Sequence, residues 1–309
     1  MAKIIDGKAI SAQMRAEIKE QTAQFVAKHG IRPGLAVIIV GDNAASQVYV
    51  RNKRRACEEV GFYSEAYELP ATTTQDELNA LVDKLNADDN IHGILCQLPL
   101  PRHLDENQVI LRIHPDKDVD AFHPYNVGRI MIGDYSFLPC TPAGVMALLE
   151  RSDVDVAGKE CVVVGRSNIV GKPQAMLLLH KHGTVTVCHS RTKNLADICR
   201  RADVLVAAIG KADFFTGDMI KDGAVVIDVG MNRNAEGKLV GDVHFESAEK
   251  KVQIINPYFV PIKSIRKSID RALAKGTEVE IMISAESDIA FTPEASSYVA
   301  HKLMKKGAK

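Results

Sequence analysis

A tyrosine and a lysine stand four residues apart in the run SQVYVRNKRRACEEVG. On a helix, Tyr49 and Lys53 would share one face. A lysine transfers protons near neutral pH when burial or neighbouring positive charges, such as those of Arg54 and Arg55, lower its pKa. The alternative is that RNKRR is the solvated basic face of a surface helix. The run is therefore a candidate proton-transfer site whose meaning depends on the segments around it.

Two other polar residues occur where a fold of parallel strands would deliver functional groups. Gln97 ends the strand pattern in GILCQLPLP, and such folds bind their ligands at the carboxyl edge of the sheet. Asp120 lies in the polar loop HPDKDVDAFHP, where it is either a ligand-binding carboxylate or an Asx turn or helix cap. The sequence therefore offers an amide and a carboxylate as candidate partners of Lys53.

The stretch CVVVGRSNIVGKPQAMLLL has the order expected of a phosphate-binding turn. A buried strand pattern is followed by Gly165, Arg166 and Ser167, and then Gly171 and Pro173 open a helix pattern. Small residues let the backbone approach a phosphate, and the first-turn amides and the helix dipole face the anion. The spacing GxSxxxGxP departs from the usual GxGxxG, so a turn without a ligand is the alternative.

The next strand pattern carries residues that distinguish NADP from NAD. An NAD enzyme usually has an acidic residue at the end of this strand for the ribose hydroxyls. Here the run CHSRT supplies Ser190 and Arg191, and we interpret His189 as a structural or lining residue. A hydroxyl and a guanidinium suit a 2′-phosphate, with Arg166 as a second cation, so the sequence predicts NADP as the cofactor.

Apolar strand patterns alternate with helix patterns along the chain, which predicts parallel sheets covered by helices on both faces. The predicted buried strands are LAVIIVG, GILCQL, CVVVG, VLVAAIG and AVVIDVG. The predicted helices include ISAQMRAEIKEQTAQFVAKHG and TTQDELNALVDKLNADD, of which the second has a threonine cap. A boundary falls near CTPAGVMALLERSDVDVAGK. We therefore predict an α/β protein with a first domain over residues 1–140, a Rossmann-like domain over 141–251 and a β-α-β-α fragment over 252–309.

Composition argues against several classes of function. The formal net charge is 0, which gives no electrostatic argument for a nucleic-acid or membrane partner. The 6 cysteines form no CxxC pair, and those in runs such as ILCQL are typical of buried thiols, which favours a reducing cytoplasm. The sequence has no HExxH or CxxC spacing, so no metal is expected. No segment resembles a signal peptide or a membrane-spanning helix.

Taken together, the stretches VYVRNK, QLPLP, HPDKDVDAFHPYNVGR, PCTPAG, VVGRSNIVGKP, CHSRT, VIDVGMN and GDVHF resemble the bifunctional methylenetetrahydrofolate dehydrogenase/cyclohydrolases of the FolD type. The resemblance covers residues 1 to about 250. It implies two α/β domains with a folate cleft between them, NADP on the second domain and a homodimer formed through that domain. It also implies oxidation of 5,10-methylenetetrahydrofolate to 5,10-methenyltetrahydrofolate and hydrolysis of that product to 10-formyltetrahydrofolate.

The same resemblance implies a role for each candidate residue. Lys53 would be the catalytic group, held and tuned by Gln97, and Tyr49 would stack on the folate. Asp120 would accept hydrogen bonds from the aminopyrimidine edge of the pterin, whose paired donors a carboxylate receives well. The residues implied to contact NADP are Gly165, Arg166, Ser167, Gly171, Pro173, Ser190, Arg191 and, from PCTPAG, Thr141.

The sequence departs from the family pattern at two places. Ala121 stands where the family carries glycine, and its methyl group would tighten the pterin loop if the residue needs a positive φ. After GDVHFESA, the family continues into a strand, a loop of the type TPVPGGVGPMT that borders nicotinamide and folate, and a final helix. Here IINP occupies the strand position, and no Gly-rich turn follows.

Residues 252–309 resemble instead a piece of a phospholipase D-like cardiolipin synthase, without the HxKxxxxD signature of that superfamily. We therefore predict a chimera in which this fragment replaces the last element of a FolD-type enzyme and extends or completes the second sheet. Two outcomes are open: a working dehydrogenase and cyclohydrolase, or a folded protein whose catalysis is impaired because the Gly-rich loop is missing. A nicotinamide misplaced by about 1 Å costs on the order of a hundredfold in rate.

Overall fold

The computed structural model describes residues 5–42, 44–248 and 253–255. Its description of side chains leaves out residues 44–46, 48–49 and 253–255. The stacking predicted for Tyr49 therefore lies outside the described side chains, and the predictions for residues 256–309 lie outside the described residues.

Strands and helices alternate along the chain, as the sequence predicted. The helices are α1 (Gly7–His29), α2 (Ala44–Val60), α3 (Gln75–Ala87), α4 (Glu106–Arg112), α5 (Pro124–Ile132), α6 (Cys140–Glu150), α7 (Gly171–His180), α8 (Leu195–Cys199) and α9 (Phe245–Ala248). The strands are β1 (Gly34–Val40), β2 (Tyr63–Leu69), β3 (Gly93–Cys96), β4 (Glu160–Val164), β5 (Thr184–Cys188), β6 (Val204–Ala207), β7 (Val225–Asp228), β8 (Asn232–Arg233), β9 (Leu239–Val240) and β10 (Gln253–Ile255).

The first sheet has three parallel strands in the order β2-β1-β3. Its central strand, β1, is buried on both faces, because alternate side chains pack into two different apolar clusters. Ile38 and Val40 pack with apolar residues of α3 and α4, whereas Val37 and Ile39 pack with Val50 of α2. A strand covered on both faces needs apolar residues at every position, which explains the run LAVIIV.

The predicted threonine cap of α3 is present. Thr74 Oγ1 accepts a hydrogen bond from Glu77 N at 3.3 Å, and Glu77 Oε2 accepts one from Thr74 N at 2.8 Å. This reciprocal capping box satisfies two backbone amides at the start of the helix. The local sequence TTQDE is therefore sufficient to place the start of α3.

The second sheet has five strands in the order β10-β7-β6-β4-β5. The pairs β10–β7, β7–β6 and β6–β4 are parallel. The strand predicted within IINP is observed as β10, one residue earlier than expected, at the edge of the sheet beside β7. The prediction that this segment extends the second sheet is confirmed for its backbone.

The predicted fold class is confirmed: the described residues form two sheets of mainly parallel strands with helices between the strands, and β8 and β9 add a separate antiparallel pair. The boundary predicted at residue 140 coincides with the first residue of α6, and the limits of the domains stay a prediction. Among the described residues, no helix has both the length and the apolar composition that crossing a bilayer requires.

Candidate active site

Lys53 and Gln97 are in direct contact. The Lys53 ammonium donates a hydrogen bond to Gln97 Oε1, with Nζ and Oε1 3.0 Å apart. Gln97 directly follows β3; its backbone N–H donates to Ile38 O at 2.8 Å, and its Nε2 donates to Leu98 O at 3.0 Å. Because the backbone holds Nε2, Oε1 is the amide atom that faces the lysine. The amide therefore determines where the ammonium group lies.

The packing of α2 selects Lys53 from the basic run. Val50 and Cys57 are buried, and Lys53 lies three residues after the first and four before the second, hence on the same face. Lys53 is partly buried, whereas Arg54 is exposed and pairs with Glu58 at 3.2 Å. The interpretation of RNKRR as a solvated basic face therefore holds for Arg54 and not for Lys53.

Asp120 adds a partly buried carboxylate to the Lys53–Gln97 pair. Burial raises the pKa of Asp120 to about 6. The positive charge of Lys53 lowers this pKa, and the negative charge of Asp118 raises it. The effect of Lys53 places the two groups within electrostatic range of each other. At neutral pH Asp120 is mostly ionised, so it can accept two hydrogen bonds from paired donors of a ligand.

Asp118 is a buried acid that the sequence analysis did not single out. It is 4% exposed, and its Oδ2 accepts hydrogen bonds from His123 N at 2.8 Å and Asn126 Nδ2 at 2.9 Å. These bonds tie the loop that carries Asp120 to the start of α5. The run DVD contains both carboxylates, but only burial distinguishes the one that shapes the loop from the one that can meet a ligand.

Ala121 adopts a left-handed conformation, with φ of 54°, and is 1% exposed. The position therefore does need a positive φ, which is why glycine would suit it. A non-glycine residue in this region costs roughly 1–2 kcal/mol, and burial of the methyl group offsets part of that cost.

Cys140, at the start of α6, is a further group near this cluster that the sequence analysis missed. The residue as a whole is exposed, yet burial of its thiol raises the pKa, Asp120 raises it further and Lys53 lowers it. The sulfur therefore lies within electrostatic range of both groups and stays protonated at neutral pH. Its place in the motif PCTPAG was the signal that could have identified it.

A cavity of about 20 Å³ lies beside the Asp120 loop. Asp118, Asp120 and Glu106 form its polar wall, and Leu98 is part of its apolar wall. This volume accommodates about one water molecule, so the cavity is too small for a substrate. Within the described residues, no three or more His, Cys, Asp or Glu side chains are arranged to hold a metal ion.

The predicted phosphate turn depends on a close approach of two backbone segments. A Cβ atom on Gly171 would lie 2.2 Å from Gly165 O and 2.8 Å from Arg166 N, so only glycine lets α7 begin against the end of β4. Ser167 Oγ accepts hydrogen bonds from Val170 N at 3.2 Å and Gly171 N at 3.3 Å. The serine thus shapes the turn from within, and the role of the start of α7 as a phosphate site stays a prediction.

The other predicted cofactor residues lie close to strand ends or helix starts. Arg166 comes two residues after β4, and Ser190 and Arg191 come two and three residues after β5; all three are exposed. Thr141 is exposed on the first turn of α6, and Pro173 is buried on the first turn of α7. Their contacts with a cofactor stay predictions.

Two sequence models of one family match this chain. The first, described as tetrahydrofolate dehydrogenase/cyclohydrolase, catalytic domain, matches residues 5–120. The second, described as tetrahydrofolate dehydrogenase/cyclohydrolase, NAD(P)-binding domain, matches residues 139–263. Together they cover more than half of the chain. Lys53, Gln97 and Asp120 all lie in the first match, and the phosphate turn lies in the second.

Individual proteins agree with this result. The chain is 63% identical over 256 residues to a bifunctional protein FolD of Moorella thermoacetica, which covers 83% of this chain and 91% of that protein. A crystal structure of the bifunctional enzyme FolD from Campylobacter jejuni has a TM-score of 0.80 and 50% identity, covering 83% of this chain and 91% of that one. The FolD of Trypanosoma brucei, solved with NADP cofactor and inhibitor, has a TM-score of 0.78 and 42% identity, with coverages of 83% and 90%.

Proposed function

This chain belongs to the tetrahydrofolate dehydrogenase/cyclohydrolase family, and we propose that it catalyses two successive reactions on a folate-bound one-carbon unit. 5,10-Methylenetetrahydrofolate is oxidised with NADP to 5,10-methenyltetrahydrofolate, which is then hydrolysed to 10-formyltetrahydrofolate. The observation that carries this proposal is the 3.0 Å contact between Lys53 and Gln97, within electrostatic range of Asp120.

The side chains divide the chemistry between binding and proton transfer. Asp120 accepts hydrogen bonds from the aminopyrimidine edge of the pterin, and Tyr49 stacks on its ring. The methylene carbon loses a hydride, which NADP accepts when bound, and becomes a methenyl cation. Water then attacks this carbon and loses one proton to solvent. As the bond from the carbon to N5 breaks, the remaining hydroxyl proton is transferred to N5, which leaves a formyl group on N10. Lys53, held by Gln97, assists the proton transfers.

NADP is the proposed cofactor because the run after β5 carries a cation and a hydroxyl, Arg191 and Ser190, where an NAD enzyme has an acid. Arg166, two residues after β4, is the second proposed cation. A 2′-phosphate pairs well with guanidinium groups. Gly165, Gly171 and Ser167 shape the turn that receives the pyrophosphate.

We extend the proposal to the surroundings of the enzyme. It acts in the cytoplasm as a homodimer, on tetrahydrofolate substrates, without a nucleic-acid or membrane partner. The zero net charge of the chain gives no general electrostatic attraction to a nucleic acid or a membrane.

The alternative is a folded protein with impaired catalysis, and the C-terminal sequence favours it. The family match ends at residue 263, and no Gly-rich loop of the type TPVPGGVGPMT follows β10 in the sequence. That match includes residues 252–263, so the first part of the predicted foreign fragment belongs to the family pattern. None of the matches reported above supports a phospholipase D-like origin for residues 252–309.

A spectrophotometric assay with methylenetetrahydrofolate and NADP distinguishes the two candidates. Formation of NADPH is expected, with release of 10-formyltetrahydrofolate as the second product. A folded protein that binds NADPH but forms neither product would establish the alternative, and one that binds no NADPH would overturn the proposal.

Asp120→Asn is expected to remove a pH-dependent loss of stability. Burial raises the pKa of Asp120 from 3.8 to about 6, so the folded state holds this proton more tightly than the unfolded state. The resulting stability is fully present below pH 3.8 and is lost as the pH rises through about 6. Between about pH 4 and about pH 7.5, the free energy of unfolding should fall by about 2 kcal/mol more in the wild type than in the variant. Urea unfolding at both pH values measures this, and an equal fall in both proteins would refute the assignment.

A further inference from the structure

Two histidines have the same local role in the run HPDKDVDAFHPYN. His114 Nδ1 accepts a hydrogen bond from Asp116 N at 3.2 Å, at the start of the 3₁₀ turn Pro115–Lys117. His123 Nδ1 accepts one from Tyr125 N at 3.1 Å, at the start of α5. Each histidine is the N-cap residue and is followed directly by proline. Both rings therefore satisfy backbone donors that no helical carbonyl group can reach.

These caps exist only while the imidazole rings are neutral. A backbone N–H can only donate, so the Nδ1 atom that receives it carries a lone pair, and the ring proton is on Nε2. In a protonated histidine both ring nitrogens are donors, and Nδ1 then presents a hydrogen to the amide. The usual N-cap residues, serine, threonine, aspartate and asparagine, accept this bond throughout the range in which imidazole changes charge. Two histidine caps therefore make this run sensitive to pH near neutrality.

Two other histidines form hydrogen bonds in the opposite sense. His103 Nε2 lies 2.9 Å from Thr73 O, and His180 Nε2 lies 2.7 Å from Ile130 O. A carbonyl oxygen can only accept, so these rings donate, and a proton added to either ring leaves its bond in place. His103 therefore provides an internal reference for a histidine whose contact does not depend on pH.

The two caps are joined through the loop between them. Asn126 Nδ2, on the first turn of α5, donates to Pro115 O at 2.8 Å and to Asp118 Oδ2 at 2.9 Å. Asp118 Oδ2 also accepts a hydrogen bond from His123 N at 2.8 Å. The start of the 3₁₀ turn, the start of α5 and the loop that carries Asp120 are therefore one hydrogen-bonded unit. Loss of either cap loosens the backbone that positions Asp120.

Charged and titratable groups from several elements surround the two rings. Near His114 they line one surface groove and are Asp89 after α3, His92 before β3, Asp116 and Lys117. Near His123 they belong to the loop, to α5 and to α7, which contacts the far end of α5, and are Asp118, Asp120, Arg129 and His180. Asp116 Oδ2 lies 3.8 Å from His114 Nδ1, so a protonated ring finds an ionic partner outside the cap.

We propose that His114 and His123 are positioning residues for the folate site: as neutral caps they hold the loop in the conformation that presents Asp120, and proton uptake by either ring releases it. This inference rests on the proposed function and adds to it a regulation of the same site by pH. Asp120 touches the substrate, whereas the two histidines act through the backbone. Acidification therefore weakens substrate binding through the loop as well as through Asp120.

Hydrogen exchange of individual backbone amides, followed by NMR, measures the caps directly and needs no substrate. Each rate is divided by the intrinsic exchange rate at the same pH, so that only protection by structure is compared. Between about pH 7.5 and about pH 5.5, the protection of the Asp116 and Tyr125 amides in the wild type should fall about fivefold, the usual effect of losing an N-cap. Unchanged protection of both amides would overturn the inference.

Variants at the two histidines separate a titrating cap from a fixed one. In His123→Asn, the side-chain oxygen accepts the bond from Tyr125 N without taking up a proton, so protection at Tyr125 should not depend on pH. In His123→Ala, this protection should be about fivefold lower at both pH values. His114→Asn and His114→Ala give the same comparison at Asp116. A fall with pH in the asparagine variants equal to that in the wild type would place the titrating group elsewhere and refute the inference.

Kinetics connects the caps to the substrate. At about pH 7.5, His123→Ala should raise the KM for hydrolysis of methenyltetrahydrofolate about fivefold with kcat within about twofold, and His123→Asn should restore the wild-type KM. An unchanged KM in His123→Ala would show that the cap does not position the site.

Two further variants are the controls. Burial raises the pKa of Asp120 to about 6, so Asp120 takes up a proton in the same range as the histidines. In Asp120→Asn, the fall in protection at Tyr125 should persist, and its disappearance would assign the pH response to Asp120. His103→Gln removes a ring that donates to Thr73 O, and it should leave the KM and the pH response of the loop unchanged.

The two kinds of failure are distinguishable. A wild-type protein that shows no hydrolysis, but whose Asp116 and Tyr125 amides lose protection in acid, contradicts the proposed function and not the histidine caps. A wild-type protein that hydrolyses methenyltetrahydrofolate, but whose amide protection ignores pH, contradicts the inference alone.

Discussion

Lys53→Ala is expected to lower cyclohydrolase turnover by about 10²–10⁴-fold, the usual contribution of a positioned proton-transfer group. The ammonium lies 3.0 Å from Gln97 Oε1 and within electrostatic range of Asp120, so its loss removes the only predicted proton carrier of the cluster. NADPH affinity should stay within about twofold, because the turn at residues 165–173 does not depend on Lys53. Separate assays of NADPH formation and of methenyltetrahydrofolate hydrolysis measure the two reactions.

Arg54→Ala is the matched control for Lys53→Ala. Arg54 is the next residue on the same helix, but it is exposed and pairs with Glu58. Such a surface pair contributes little, so turnover should be unchanged. Hydrolysis that survives Lys53→Ala within a few-fold would show that Lys53 is not the catalytic group, whereas similar losses in both variants would indicate a general effect of positive charge on α2.

Gly171→Ala is expected to have the largest effect on the cofactor site. The new Cβ atom would meet Gly165 O at 2.2 Å and Arg166 N at 2.8 Å. Both are backbone atoms, so α7 must move away from β4 and the turn must open. We expect a loss of about 3 kcal/mol in the free energy of unfolding and a rise in the Kd for NADPH of more than about tenfold. Urea unfolding and fluorescence titration with NADPH measure these quantities.

Gly128→Ala provides the same chemical change without a clash. Gly128 lies within α5, and a Cβ atom there would meet nothing within 4 Å. This variant should gain about 0.5–1 kcal/mol from the better helix propensity of alanine, with NADPH binding unchanged. If Gly171→Ala behaved in the same way, the close approach of α7 to β4 would not be a requirement of the site.

The sequence was informative wherever a local pattern determines the structure. The apolar run LAVIIV predicts a strand buried on both faces because only such a strand lacks polar positions, and TTQDE predicts the start of α3 because capping is local. The phosphate turn was predicted for the same reason, since Gly165 and Gly171 are six residues apart and their contact is made within one strand-turn-helix unit. The motif resemblance identified the family, and the family matches confirm it.

Other features depend on which residues are buried, and the sequence does not state this directly. RNKRR contains several cations, and only the packing of α2 on β1, through Val50, turns Lys53 toward Gln97. DVD contains two acids, and only burial separates the loop-shaping Asp118 from Asp120. The thiol of Cys140 joins the cluster from a helix 87 residues after Lys53 along the chain.

By itself, then, the sequence determined the α/β class, the tight glycine turn between β4 and α7 and the chemical groups available at the strand ends, because these depend on periodicity and short-range sterics. Tertiary structure decided which of those groups meet and which are withdrawn from water. Lys53 and Gln97 are 44 residues apart. They meet because Gln97 directly follows the parallel strand β3, and α2 packs through Val50 on the neighbouring strand β1. Burial and hydrogen bonding then give each carboxylate, amide and ammonium group its role.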